Sequence, residues 1–437
     1  MTIEPQRLVL VLPSSGAFDS RAWRIASAIA ARGHAVTIVA RQESDLPVEE
    51  THPAGYRIVR VAVSAVDGLP GPLRGIARRL RRRRTPPSAG PALAEASGSP
   101  RPGGRLRAAW AAVARLGAIA LTVRSQRLAT RRVAPGSDLV HAMAYMGIPI
   151  GLDLGRRDGA AVVYDARDIY VDAANVARLP GPARRMFAAV ERRWARRASR
   201  VATVNEPYAE VMERRFGVAR PLIVMNCSYR RDLPAVPPRL FHERLGLDPA
   251  VRVVLYQGGF SRDRGIEELI EALPSLSPDT VLALLGYGAL QAELERRATE
   301  PALTDRLFVL PAVPPDELLD WVGSADVVAM PIQPSTLNHR LTTPNKLFEA
   351  MAAGVPVVAS DLPGMAGIVR ETGCGVLCDP TSPTSIAAAI RSILDAPLLE
   401  RAAYRARAIA AAHGRYSWDA QVEILLAEYG RLTGRPW

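Results

Sequence analysis

Arg7-Leu8-Val9-Leu10-Val11-Leu12-Pro13-Ser14-Ser15-Gly16 is an apolar run that ends in a turn of small residues. Residues 7–12 read as a strand with both faces buried, and residues 21–31 follow as an amphipathic helix. Gly33 stops that helix and residues 36–40 form the next strand. The order is a strand–helix–strand opening, with its turn at the carboxyl end of the first strand, where open parallel sheets bind ligands. It is not the dinucleotide fingerprint, because the turn holds a single glycine.

The same alternation continues outward from this stretch. Helical patterning runs to Arg132, strands are expected at 138–141, 161–164, 201–204 and 222–225, and a helix at 183–198. A second series starts with a strand at 251–256 that turns through Gln257-Gly258-Gly259-Phe260 into a helix at 266–273. Strands at 281–285, 307–310, 327–331 and 355–359 follow, with Gly286-Tyr287-Gly288 after the first of them and a helix at 346–353 before the last. The expectation is an α/β chain with two doubly wound, Rossmann-like parallel sheets facing each other across a cleft. Leu233-Pro234-Ala235-Val236-Pro237-Pro238 reads as the linker, which sets domains at 1–235 and 236–413. Residues 70–104, rich in Pro, Gly, Ser and Arg, read as a mobile insertion.

At 437 residues with 48% apolar side chains, two cores of about 200 residues each are expected. Three cysteines, Cys227, Cys374 and Cys378, make neither a disulfide framework nor a zinc pattern, which fits a reducing cytoplasm. The first residues do not read as a signal peptide, and the longest apolar stretch, 108–123, is interrupted by Arg115. The expected location is the cytoplasm, or the inner membrane face at most. The net charge of +13 gathers before about residue 235. With aromatics at 5% and not interleaved with the arginines, stacking on nucleic acid is unsupported. An anionic membrane surface and a merely solvated basic loop remain as readings.

Of 56 basic residues only Lys346 is a lysine. Its ammonium is a compact, strongly hydrated point charge suited to a tight phosphate pocket, where a guanidinium fork is wider. Lys346 sits between a Thr-Thr-Pro turn and a helix that carries a carboxylate three residues on, which favours a site over a chance survivor.

The stretch Pro344-Asn345-Lys346-Leu347-Phe348-Glu349-Ala350-Met351-Ala352-Ala353-Gly354-Val355-Pro356-Val357-Val358-Ala359-Ser360 is similar to the donor-binding signature of GT-B glycosyltransferases of the retaining family 4 group. Asp19-Ser20-Arg21, Tyr164-Asp165-Ala166-Arg167-Asp168, Thr203-Val204-Asn205-Glu206, Val224-Met225-Asn226, Gly258-Gly259 and Arg264-Gly265 support the resemblance in order and spacing. It implies that a nucleoside diphosphate sugar binds the C-terminal domain and an acceptor the N-terminal one. It also implies that the last segment, 414–437, crosses back to the N-terminal domain. The apolar stripe Trp418, Val422, Leu425, Leu426 and Tyr429 suits such a helix.

By this resemblance the donor residues are Gly258, Gly259, Arg264, Gly286, Thr342, Thr343, Pro344, Asn345, Lys346, Leu347 and Glu349. Lys346 and Arg264 would hold the diphosphate, with backbone N–H groups at Gly258-Gly259 and at the helix start, while Glu349 would accept from the ribose. Ser15, Gly16, Asp19, Arg21, His141, Asp165 and Arg167 fall on the acceptor side. His141 is, with Lys346 and Arg264, a catalytic candidate; a buried structural role at a strand end is its alternative. No cofactor and no metal are expected, and neither a paired-carboxylate nor a Ser-His-Asp arrangement is present. The chain departs from the pattern at Leu341, where the first of two spaced glutamates is common, and at Gly259, Met143, Arg167 and Asp168. Sugar contacts then fall to Thr342, Thr343 or backbone amides. The alternatives are a sugar-nucleotide epimerase of similar fold, or a non-catalytic relative that binds polyanion or membrane.

Overall fold

The computed structural model describes residues 4–17, 19–70, 73–74 and 104–437, so the insertion expected at 70–104 lies almost wholly outside the described residues. The chain forms two compact units. One comprises Met1–Ala202, Met212–Leu222 and Leu426–Trp437, the other Thr203–Val211 and Ile223–Leu425. Among the described residues no helix is long and apolar enough to cross a membrane.

The first unit is built on strands β1 (Arg7–Val11), β2 (Ala35–Arg41), β3 (Glu49–Thr51), β4 (Arg57–Val61), β5 (Leu139–Met143), β6 (Ala161–Asp165), β7 (Arg200–Thr203) and β8 (Leu222–Ile223). They lie in the order β3-β4-β2-β1-β5-β6-β7-β8. The sheet is doubly wound and parallel as expected, with β3 running antiparallel to β4 at the edge. Strands β3 and β4 were not expected from the pattern, since Arg57-Ile58-Val59-Arg60-Val61 breaks its apolar run with two arginines. Arg60 is nonetheless buried, because Ser15 O, Pro47 O and Glu50 Oε1 accept from its guanidinium at 3.1, 2.8 and 2.7 Å.

The second unit holds β9 (Arg252–Gly259), β10 (Thr280–Tyr287), β11 (Leu307–Pro311), β12 (Val327–Met330), β13 (Val357–Ser360) and β14 (Gly375–Cys378), in the order β11-β10-β9-β12-β13-β14 and all parallel. Helices cover both faces, so successive residues of β9 serve different cores. Val253 and Leu255 pack with Leu347, Phe348 and Met351, whereas Val254 and Tyr256 pack with Ile266, Ile270 and Ile390. Each such side chain contributes about 1.5–3 kcal/mol by burial, which is why this sheet reads as continuous apolar runs rather than alternation. The chain leaves β9 toward β10 and β11 on one side and returns to β12 on the other. That reversal is a topological switch point, and the crevice at the carboxyl ends of β9 and β12 is where such sheets take ligands.

Candidate functional site

At the switch point, Gly258 and Gly259 close β9, and Gly286 of β10 pairs with Gly258 in the ladder. The helix Asn345–Ala352 starts there after Pro344, which is extended at φ −74° and ψ 147°. Proline cannot continue the preceding turn, and its fixed φ suits a helix entry. The turn before it is bolted down. Asn205 donates through Nδ2 to Leu341 O at 2.7 Å and to Thr343 Oγ1 at 3.0 Å, and Thr343 donates in turn to Gly364 O at 2.6 Å. Asn226 donates to Asn345 Oδ1 at 2.9 Å.

Lys346 is 9% exposed, and its Nζ makes no hydrogen bond; it stands over the Tyr256 ring, 3.6 Å from the centroid. Burial, reinforced by Arg264, pushes its pKa down to about 7, against the opposing pull of Glu349. A desolvated ammonium without a hydrogen bond is costly, and an anion arriving at this point relieves that cost. Gly258 leaves the space open: its φ is +119°, and a Cβ there would stand 3.7 Å from Lys346 Nζ. Gly265, at φ +76°, lets the loop that carries Arg264 lie on the end of β12, where a Cβ would meet Pro331 O at 1.9 Å. Arg264 and Glu349 are both half-buried beside Lys346, and Leu347 points into the core. Gln257 is buried immediately before Gly258, with neither amide atom hydrogen-bonded.

The structure thus gathers Gly258, Gly259, Arg264, Gly286, Pro344, Asn345, Lys346 and Glu349 at one crevice of the second unit. Two predicted donor residues stand outside this set: Leu347 is in the core, and the Thr343 hydroxyl is spent on Asn205 and Gly364, so it is a strut for the turn and not a free sugar contact. Tyr256 and Gln257 are the site residues to which sequence reasoning gave no role, and Asn205, quoted only as part of a motif, gains one as the strut of the turn. An aromatic and an amide inside an apolar strand carry no signal of their own until the strand's neighbours are known.

In the first unit, Arg21, His141 and Asp165 are fully buried. Arg21 donates to both oxygens of Asp165 at 2.6 and 3.1 Å, and His141 Nε2 lies 3.1 Å from Asp165 Oδ2. The Tyr429 hydroxyl meets His141 Nδ1 at 2.6 Å. Burial opposes the charge on Asp165, but Arg21 and His141 outweigh it and hold the carboxyl well below the usual range. With both ring nitrogens engaged and its side chain buried, His141 is placed as the alternative of a buried histidine at a strand end describes, and Arg21 and Asp165 are buried beside it. Asp19 accepts from Ala22 N at 3.1 Å as the cap of the helix Ser20–Ala30 and from Arg167 Nη1 at 2.9 Å. Ser15 is buried above β1, and Gly16 turns at φ +80°.

Two parallel-sheet α/β units, the second with a crevice at its switch point, define a GT-B architecture. Residues 239–412 match the family model described as glycosyl transferases group 1. It is 33% identical over 198 residues to the D-inositol 3-phosphate glycosyltransferase of Xylanimonas cellulosilytica, covering 44% of this chain and 45% of that protein. It is 27% identical over 283 residues to the 2-deoxystreptamine glucosyltransferase of Streptomyces kanamyceticus, covering 61% and 68%. The match spans less than half the length of the D-inositol 3-phosphate glycosyltransferases it resembles, 41–46%. In fold, the chain is similar to sucrose-phosphate synthase from Thermosynechococcus elongatus, with a TM-score of 0.73 at 21% identity over 98% of this chain and 99% of that one. HepE of Anabaena in complex with UDP gives 0.63 at 17%, over 98% and 100%.

Proposed function

We propose that the protein is a retaining glycosyltransferase of the family 4 type. It would move a sugar from a nucleoside diphosphate donor, bound by the second unit, to a glycan or lipid-linked acceptor in the synthesis of cell-surface polysaccharide or glycolipid. The observation that carries this reading is the buried Lys346 ammonium, without a hydrogen bond, at a helix start beside Arg264 and the open backbone of Gly258. Positive charge and N–H groups fixed in a water-poor crevice stabilise a departing diphosphate without reorganising. Glu349, one turn along the same helix, would accept from ribose hydroxyls. As the glycosidic bond breaks on one face of the sugar, the leaving phosphate oxygen accepts the acceptor's proton, so no side-chain nucleophile is needed. The presence of UDP in the related HepE structure supports a uridine nucleotide as the first to test.

A thermal-shift panel of UDP-, GDP- and ADP-sugars tests the reading, because a ligand selective for the folded state raises stability with its concentration over Kd. One donor class should raise the Tm of the wild type and not that of Lys346→Ala. A panel in which no nucleotide sugar shifts the wild type sinks it.

A further inference from the structure

The first unit contains an apolar slot that the proposed donor chemistry does not use. It is a cavity of about 360 Å³ between three helices, Gly104–Val133, Ala144–Asp158 and Gly181–Ala195. Ile119 and Val123 form one wall at helical spacing, Tyr145 and Pro149 the second, and Phe187 and Val190 the third. Tyr145 and Phe187 meet edge to face at 4.9 Å, which fixes the end of the slot. Val190 and the adjoining Met186 are 39% and 55% exposed, so the slot opens to solvent through apolar side chains. Arg124 and Arg127 stand at its rim, and among the described residues neither has an acidic partner.

We propose that this slot binds a single-chain lipid phosphate, with the hydrocarbon between the three helices and the phosphate against Arg124 and Arg127. The inference goes beyond the donor reading and does not depend on it. The volume falls within the roughly 300–1,000 Å³ of small-molecule sites, enough for one chain. Guanidinium forks with no carboxylate of their own are open to bidentate phosphate recognition. Glu191, which borders the slot, is pushed up to about 7 by burial and accepts from the Tyr164 hydroxyl at 2.7 Å, so well below that pH it is neutral and does not repel the phosphate. The stretch 71–103 is a poor occupant on charge, since it has eight arginines and one glutamate.

Titration calorimetry on the full chain with farnesyl phosphate tests the proposal, with farnesol, inorganic phosphate and phosphatidylglycerol vesicles as controls. Farnesyl phosphate should bind, farnesol roughly tenfold or more weaker, and phosphate alone not detectably, as expected when a charge-assisted pair adds to burial. Val190→Asp and the double variant Arg124→Glu, Arg127→Glu should each lose about tenfold or more in affinity. Their unchanged nucleoside diphosphate affinity would show that the fold and the donor crevice are intact. Equal binding by the variants, equal binding of farnesol, or binding only to vesicles overturns the proposal. A wild type that binds farnesyl phosphate but no nucleoside diphosphate overturns the donor reading instead.

Discussion

Lys346 and Glu349 lie one helical turn apart, and their substitutions should fail differently. Lys346→Ala removes a charge-assisted contact, so affinity for a free nucleoside diphosphate should fall by roughly 1.5–3 kcal/mol in calorimetry, with Lys346→Arg restoring only part. Glu349→Gln should spare phosphate binding and reduce the preference for the ribonucleotide over its 2′-deoxy form. The lowered lysine pKa adds a test by proton count. Free Lys346 is largely neutral above about pH 7, and an adjoining diphosphate favours the ammonium, so binding near pH 8.5 should take up close to one proton. Buffers of different ionisation enthalpy should therefore give different apparent heats, and buffer-independent heats would remove Lys346 from the phosphate. Glu191 has the opposite sign. Its folded pKa, raised by burial to about 7, exceeds the roughly 4.3 of an unfolded glutamate, so the stability it contributes is full below about pH 4 and lost as pH rises to about 7. Glu191→Gln keeps the acceptor for Tyr164 and should melt like the wild type near pH 4 but be more stable near pH 8 by on the order of 3–4 kcal/mol. Lys346 could be singled out from sequence because a lone lysine among arginines is visible in composition. The burial of His141, Arg21 and Asp165 could not, because a strand-end histidine reads the same whether its ring faces solvent or a carboxylate.

The helix Trp418–Thr433 belongs to both units by its two ends. Trp418, fully buried, donates its backbone N–H to Ser228 O at 2.7 Å, and Gln421 accepts from Met225 N at 2.8 Å, all within the second unit. From Leu426 onward the helix is part of the first, where Tyr429 reaches His141. Ending the chain at residue 414 should therefore lower the melting temperature of the whole protein; a truncated chain that melts like the full one would show these contacts to be idle. Tyr429→Phe is the finer probe. It strands one side of a buried imidazole and should cost about 1–3 kcal/mol in denaturant unfolding. Elements that are apolar throughout, such as β1, β9, β10 and β12, were legible to within a few residues. Those that were missed, β4 with two arginines and Gly375–Cys378 with a glycine and a cysteine at its ends, had their signal broken by residues whose partners come from elsewhere in the chain.

Across the whole molecule, the excess of arginine predicts binding to anionic vesicles at low ionic strength that weakens as salt is added, each basic residue near the surface contributing about 1 kcal/mol. Vesicle binding that ignores salt would mean the arginines are not its cause. The two-unit plan was legible because each half repeats the strand–helix alternation. Its boundaries were not, because residues 203–211 belong to the second unit through contacts such as that of Tyr208 with Asn338 at 2.7 Å, distant in sequence.

The division of the last helix has a consequence for biosynthesis. The first unit needs residues 426–437, so it remains incomplete while about two hundred further residues are translated. At about 5–20 residues per second, that interval is on the order of 10–40 s. During it the buried pair of Arg21 and Asp165 and the imidazole of His141 lack the tyrosine that closes over them. The nascent N-terminal portion is thus obliged to wait for residues 426–437.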